Sequence, residues 1–168
     1  EYRLEDLCPR CGRPYGFPLS NPPAQIGQYR IKEPLQRGFY GATYRAEFGS
    51  LNRPCVLKVS SREIYRFFSK DFEAECLIHQ KVAKDTEHVV DIIDAINDVA
   101  VSFGLVKIPC HVAVLDYVEG DPLDDLLGEG KKIPARMIAQ IAVDLLRMIG
   151  EFENKGVYHN DLHYGNIL

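Results

Sequence analysis

The stretch Leu35-Gln36-Arg37-Gly38-Phe39-Tyr40-Gly41-Ala42-Thr43-Tyr44-Arg45-Ala46, followed after a short turn by Cys55-Val56-Leu57-Lys58-Val59, decides the fold of this chain. Short runs rich in β-branched and aromatic residues, broken by Gly and Asn, predict strands over Tyr29–Leu35, Thr43–Phe48 and Pro54–Val59. Between the first two, Gly38 and Gly41 would let backbone N–H groups approach an anion such as phosphate, which a Cβ would obstruct. Phe39 and Tyr40 at the tip would fold over that anion and exclude water. The plainer reading of a two-glycine turn is a hairpin. Lys58 weighs against it. A lysine in an otherwise apolar strand is costly unless its ammonium meets an anion, or snorkels to water from an edge. Its place, one strand after the glycine turn, favours the anion.

Working outward, a helical stretch is expected from about Ser61 to Ala83, with Ser60 and Glu63 at capping-box spacing. Phe72, Cys76, His79 and Val82/Ala83 recur at helical spacing and define its inward stripe. A lysine on phosphates needs a carboxylate to hold it. Glu75, one turn from Phe72 and His79 and beside Cys76, is read as lying on this inward stripe and is the first choice; Glu73, outside it, is the alternative. Apolar runs over Val89–Phe103 and Cys110–Val118 predict two more strands, around a turn at Asn97-Asp98 or Gly104. Pro134 opens an amphipathic helix carrying Ile138, Ile141, Ala142, Leu145, Leu146, Ile149 and Phe152, which Gly156 ends. The order is β-β-β-α-β-β-α-loop. The loop is His159-Asn160-Asp161-Leu162-His163-Tyr164-Gly165-Asn166-Ile167-Leu168, and its Asp and Asn stand at the spacing of a phosphoryl-transfer catalytic loop.

Bulk properties exclude several classes. The 168 residues suit one ordinary domain, or one compact lobe with appendages, and 46% hydrophobic with 26% charged residues is the balance of a soluble globular chain. A net charge of −4 gives no basic footprint for nucleic acid, and no apolar run is long enough for a membrane helix. Five cysteines, an odd number mostly in apolar surroundings, argue against a disulfide framework and for a reducing cytoplasm.

In this order, glycine turn, lysine strand, glutamate helix, apolar strand and Asp/Asn loop resemble a eukaryotic-like, bacterial-type Ser/Thr protein kinase over about Ile26 to Leu168. The resemblance implies an α+β fold: a five-stranded antiparallel sheet with one helix over residues 26–118, then the start of a helical lobe over residues 119–168. It breaks off after the catalytic loop, so the fragment alone is expected to transfer nothing. By the same resemblance Gly38, Gly41, Thr43, Val56, Lys58, Leu115, Asp116, Val118 and Leu168 would bind ATP. Leu115 takes the gatekeeper place, and Asp116, Tyr117 and Val118 form the hinge on the adenine; Asp121 or Asp124 could reach the ribose. Lys58, Glu75, Asp161 and His163 form the catalytic set, and Asn166 would bind Mg²⁺.

The sequence also departs from the family. Gln36 replaces the first loop glycine, Val56 stands where alanine is usual, and His79 fills a position usually held by leucine. Asn160 replaces the arginine that pairs with an activation-loop phosphate, which implies activity independent of that phosphorylation. Loss of activity on replacing the Ser/Thr residues of that loop would overturn this. His163 replaces the lysine that contacts the γ-phosphate, and Asp-Leu-His-x-Gly-Asn is the wording of aminoglycoside, choline and atypical kinases. The expected function is therefore transfer of the γ-phosphoryl of MgATP to a protein Ser/Thr hydroxyl. A small-molecule kinase, or a pseudokinase scaffold, is the alternative.

Residues 1–25 differ from the rest. Leu7-Cys8-Pro9-Arg10-Cys11-Gly12 has the form of half a zinc ribbon, and Cys8 and Cys11 are candidate Zn²⁺ ligands whose other pair would lie upstream. Cys55, Cys76 and Cys110 are expected as buried fillers. His159 is expected to pack the loop, His88 to cap the turn after the glutamate helix, and His111 to be a satisfied half-buried histidine.

Overall fold

A computed structural model describes residues 22–37, 41–128 and 132–168. Cys8, Cys11 and the tip of the glycine turn from Gly38 to Tyr40 lie outside the described residues. The strands are β1 (Gln25–Ile26), β2 (Tyr29–Arg37), β3 (Gly41–Phe48), β4 (Arg53–Ser61), β5 (Ile92–Phe103) and β6 (Val106–Asp116). The helices are α1 (Arg62–Phe67), α2 (Phe72–Ala83), α3 (Leu123–Gly128) and α4 (Ala135–Asn154), with a 3-10 turn over Tyr164–Asn166. The five expected strands are all present in one antiparallel sheet of order β1-β2-β3-β4-β6-β5, and the two-residue β1 is an addition.

Period-2 alternation explains the two faces of the sheet. Ala42, Tyr44 and Ala46 of β3 and Cys55, Leu57 and Val59 of β4 are buried on one side, in register as Tyr44↔Leu57. Val112 and Val114 of β6 and Val101 and Phe103 of β5 extend the same core. The Tyr29 hydroxyl donates to Asp94 Oδ2 at 2.7 Å, joining β2 to the strand at the far end of the sheet order. The sheet thus curls over its core. Cys55 and Cys110 are fully buried fillers and Cys76 is half-buried, none of them in a disulfide.

Several boundaries differ from expectation for local reasons. The single helix over 61–83 is two, broken where Ser69 adopts a positive φ of 51°. The Ser60/Glu63 capping box does not form, because Ser60 is buried in β4 and Ser61 stands at the N-cap with no side-chain cap bond. The cap that forms is Asp71, whose Oδ1 accepts from Ala74 N–H at 3.1 Å and starts α2. Strand β5 begins at Ile92 rather than Val89, and β6 spans Val106–Asp116, so Val118 falls outside the sheet. The hairpin turns at Gly104 (φ 60°); Asn97-Asp98 is instead a bulge, with Asp98 at φ 54° and a register shift between Ile96 and Val99. Pro109 is tolerated because that stretch of β6 pairs only with β5, leaving one side of the ladder open.

The described residues group into two compact units: residues up to Leu77 with Ile92–Tyr117, and Ile78–Asp91 with Val118–Leu168. In the second, α4 runs from its N-cap Pro134, as its periodicity predicts, and closes at Gly156 (φ 67°). Met148 and Phe152 of α4 and Val82 of α2 form its buried core, against Val89, Leu145 and Val157. No helix among the described residues is long and apolar enough to cross a membrane.

Candidate active site

In the sheet-containing unit, the face opposite the core carries four of the residues singled out for nucleotide. Thr43 pairs with Lys58, Lys58 with Ala113, and Val56 with Leu115, so one pleated surface presents Thr43, Val56, Lys58 and Leu115. Lys58 is exposed, and its side chain makes no ion pair or hydrogen bond with a described residue. Gly41 is buried at the start of β3. A Cβ there would stand 1.8 Å from the Val59 carbonyl oxygen, so close strand packing alone already demands glycine.

The first turns of α2 and helix α1 cover part of this face. Tyr65 and Phe72 are buried against Ala113, the cross-strand partner of Lys58, with Cys76 and Ile92 beside them. His111 of β6 completes the packing, its ring stacked on Phe72 at 4.9 Å and edge-on to Tyr65 at 5.3 Å. Its Nδ1 accepts from Asp98 N–H at 3.4 Å, and burial lowers its pKa, as a satisfied buried histidine requires. Burial lifts the Cys76 thiol to about 11, Glu75 adding to the rise and the Lys58 charge opposing it.

Glu75 and Glu73 are both engaged elsewhere than at Lys58. Glu75 Oε2 accepts from the Tyr65 hydroxyl at 2.7 Å, and Oε1 pairs with Lys70 Nζ at 3.2 Å. Glu73 Oε1 accepts from Asn97 Nδ2 at 2.6 Å. Tyr65 and Lys70 were not legible as partners of Glu75, because they lie across a helix break that no periodic pattern announces.

Two arginines pin the end of β6. Arg53 pairs with Asp116 at 3.0 Å, and Asp116 Oδ1 also accepts from Tyr117 N–H at 3.2 Å. Arg45 lies over the Tyr117 ring at 4.8 Å; its pKa is raised by its hydrogen bond to Glu33 and by Tyr117. Arg45 was another omission, although it shares the Thr43 face by alternation. Val118 and Leu168 belong to the second unit and are exposed.

In that second unit the expected Asp/Asn pair is physically assembled. Asn166 Nδ2 donates to the Asp161 backbone oxygen at 2.8 Å and to Asp161 Oδ2 at 3.3 Å. Asn160, at φ 57°, makes the left-handed bend that turns Asp161 into this position; Asn tolerates that conformation better than most residues. His163 Nδ1 accepts from Gly165 N–H at 3.1 Å and caps the 3-10 turn. With Nδ1 in that accepting role, Nε2 is the ring's donor. His159 packs the loop as expected, its ring stacked on Phe152 at 6.2 Å and its Nδ1 accepting from Asp161 N–H at 3.3 Å. The loop end is tied back by Leu123 N–H donating to Ile167 O at 2.8 Å. His79 Nε2 bonds the Val90 carbonyl at 2.7 Å, which gives this departure a structural role. The turn after α2 is capped by Thr86 Oγ1, which accepts from His88 N–H at 3.2 Å, and not by the His88 ring.

No family model matches the chain. Curated proteins do. It is 28% identical over 149 residues to the serine/threonine-protein kinase PksC of Streptomyces coelicolor, covering 84% of this chain and 25% of that protein. It is 30% identical over 151 residues to the serine/threonine-protein kinase pkn2 of Myxococcus xanthus, with 84% and 16% covered. A probable serine/threonine-protein kinase of Clostridium acetobutylicum is 26% identical over 147 residues, with 84% and 20% covered. The chain thus spans a quarter or less of the length of these relatives.

Proposed function

We propose, for a chain that resembles a segment of bacterial-type serine/threonine protein kinases, that the full protein moves the γ-phosphoryl of ATP to a serine or threonine hydroxyl of a protein. The observation that carries the reading is the Asp161–Asn166 contact, in which the Asn166 amide nitrogen donates to the Asp161 backbone oxygen at 2.8 Å and to its carboxylate at 3.3 Å. In this reading Asp161 accepts the proton of the attacking hydroxyl as the oxygen–phosphorus bond forms, and ADP leaves with the electron pair of the broken bond. Thr43, Val56 and Leu115 would wall the adenine, and Lys58 would hold the α- and β-phosphates. His163 would donate to the γ-phosphate where the family has a lysine.

Magnesium fits the loop chemically. Asn166 spends its amide nitrogen on Asp161, and its Oδ1 has no hydrogen bond to a described residue, so a hard oxygen ligand remains for a hard cation. When bound, the ion would neutralise charge on the phosphates. Zn²⁺ at Cys8 and Cys11 rests on the C-x-x-C spacing alone.

A second reading is favoured by one observation: His163 stands where the family has a lysine, in the Asp-Leu-His-x-Gly-Asn wording that resembles small-molecule kinases. Transfer from radiolabelled ATP by the full-length protein, offered generic protein substrates against amino sugars, separates the two. Replacing Asp161 by Ala should cut transfer by about 10³-fold or more while nucleotide binding persists. An unchanged rate would remove Asp161 from its role.

A further inference from the structure

We infer that Arg45 is a positioning residue for the nucleotide base: it reaches across strand β4 to the Tyr117 ring and fixes the outer rim of the wall on which the base would rest. The inference rests on the phosphotransferase reading and deepens it.

The register puts Arg45 in that wall. Arg45 pairs with Val56, Val56 with Leu115 and Leu115 with Ile92, so the four stand abreast in one cross-strand row. Thr43, Lys58 and Ala113 form the neighbouring row, two residues along each strand. Cross-strand partners share a face of the sheet. Arg45 therefore stands beside the side chains that would wall the base, one row from the lysine that would hold phosphate.

Its contacts have a direction. Glu33, its cross-strand partner on β2, holds it through an ion pair at 3.2 Å. The guanidinium carbon lies 4.8 Å from the centre of the Tyr117 ring. Strands β3 and β6 are not neighbours, because β4 runs between them. A side chain of β3 that touches the residue following β6 must pass over β4, on the face that carries Val56. The planar guanidinium, held at one end by a carboxylate and at the other by a ring, keeps one orientation there.

Tyr117 is the last residue of the sheet-containing unit. Its backbone is tied separately from its ring: Asp116 Oδ1 accepts from Tyr117 N–H at 3.2 Å, while Asp116 Oδ2 pairs with Arg53 at 3.0 Å. By the resemblance to protein kinases, this stretch of backbone receives the adenine. Fixing it before the ligand arrives removes an ordering cost from binding. The Arg45 side chain is 43% exposed and that of Glu33 53%, so the gain is that of one surface cation–π contact rather than of a buried anchor.

The test uses the full-length protein with Mg²⁺ and calorimetric titration of two ligands: ATP, and inorganic tripolyphosphate, which carries phosphates without a base. Arg45→Ala should weaken ATP about two- to fivefold and leave tripolyphosphate unchanged, a split that general loosening of the sheet would not produce. Tyr117→Leu should give the same split, and the double variant should lose little more than either alone, because both remove one contact. Unchanged ATP binding by a folded Arg45→Ala variant, or an equal loss for both ligands, would overturn the inference. If that variant fails to fold, Tyr117→Leu decides by the same two outcomes. Wild-type protein that fails to bind ATP or tripolyphosphate, or binds ATP as well after Lys58→Met, would instead remove the phosphotransferase reading beneath it.

Discussion

Gly41 carries two demands that coincide at one residue. The resemblance gives it a phosphate-cradling role, and the strand packing independently leaves no room for a Cβ, which would meet the Val59 carbonyl at 1.8 Å. Gly41→Ala should therefore cost about 2–3 kcal/mol or more of stability before any effect on ligand, because backbone rather than a pliable side chain must give way. Urea unfolding at pH 7 measures this; a loss under about 0.5 kcal/mol would show that β3 can slide. At this scale legibility was uneven. The resemblance named Thr43, Val56, Lys58 and Leu115; that they share one face comes from period 2 within each strand together with the cross-strand register. The partners of Glu75 were not readable in advance, since Tyr65 OH reaches it across a tertiary contact that spacing does not encode.

Between α1 and α2 the same limit recurs one level up. One helical stretch was expected from about Ser61 to Ala83, with its periodic stripe only from Phe72 onward, yet the backbone bends at Ser69 and restarts at Asp71. Apolar spacing reports which side faces inward; it does not report whether the helix between two buried residues is continuous. Local capping chemistry would have found the break, because Asp71 stands three residues before Ala74, the proper place for an N-cap. Asp71→Ala should lower stability by about 1 kcal/mol, and Asp71→Ser should restore most of it. Thermal melts of the two variants decide whether the aspartate acts as a cap. The long helix α4 was legible almost to the residue, since Pro134 and Gly156 punctuate it and nothing competes between them.

At the scale of the whole molecule, burial raises the pKa of several described groups in the sheet-containing unit. Burial lifts Cys55 from 9.0 to about 11 and Cys110 from 9.0 to about 12; burial with the Asp94 bond lifts Tyr29 from 10.0 to about 12. Each folded-state value is raised, so the unfolded chain loses these protons first. The stabilisation is complete below pH 9 and is lost as pH climbs from 9 towards 12. Each group steepens the loss by up to about 1.4 kcal/mol per pH unit. Denaturant midpoints at pH 7, 9 and 10.5 should fall progressively, and Cys55→Ala with Cys110→Ala should flatten the fall while lowering the pH 7 value. A flat profile in the parent would contradict it.

The bond from Leu123 N–H to Ile167 O couples the start of α3 to the far end of the Asp161–Asn166 loop. Because an amide exchanges with deuterium only when its hydrogen bond opens, the Leu123 amide is a natural clock for loop opening. It is separated by more than thirty residues of sequence from the aspartate on whose order it reports. Following that single amide, with and without nucleotide, would time the loop's opening without touching any residue assigned to chemistry.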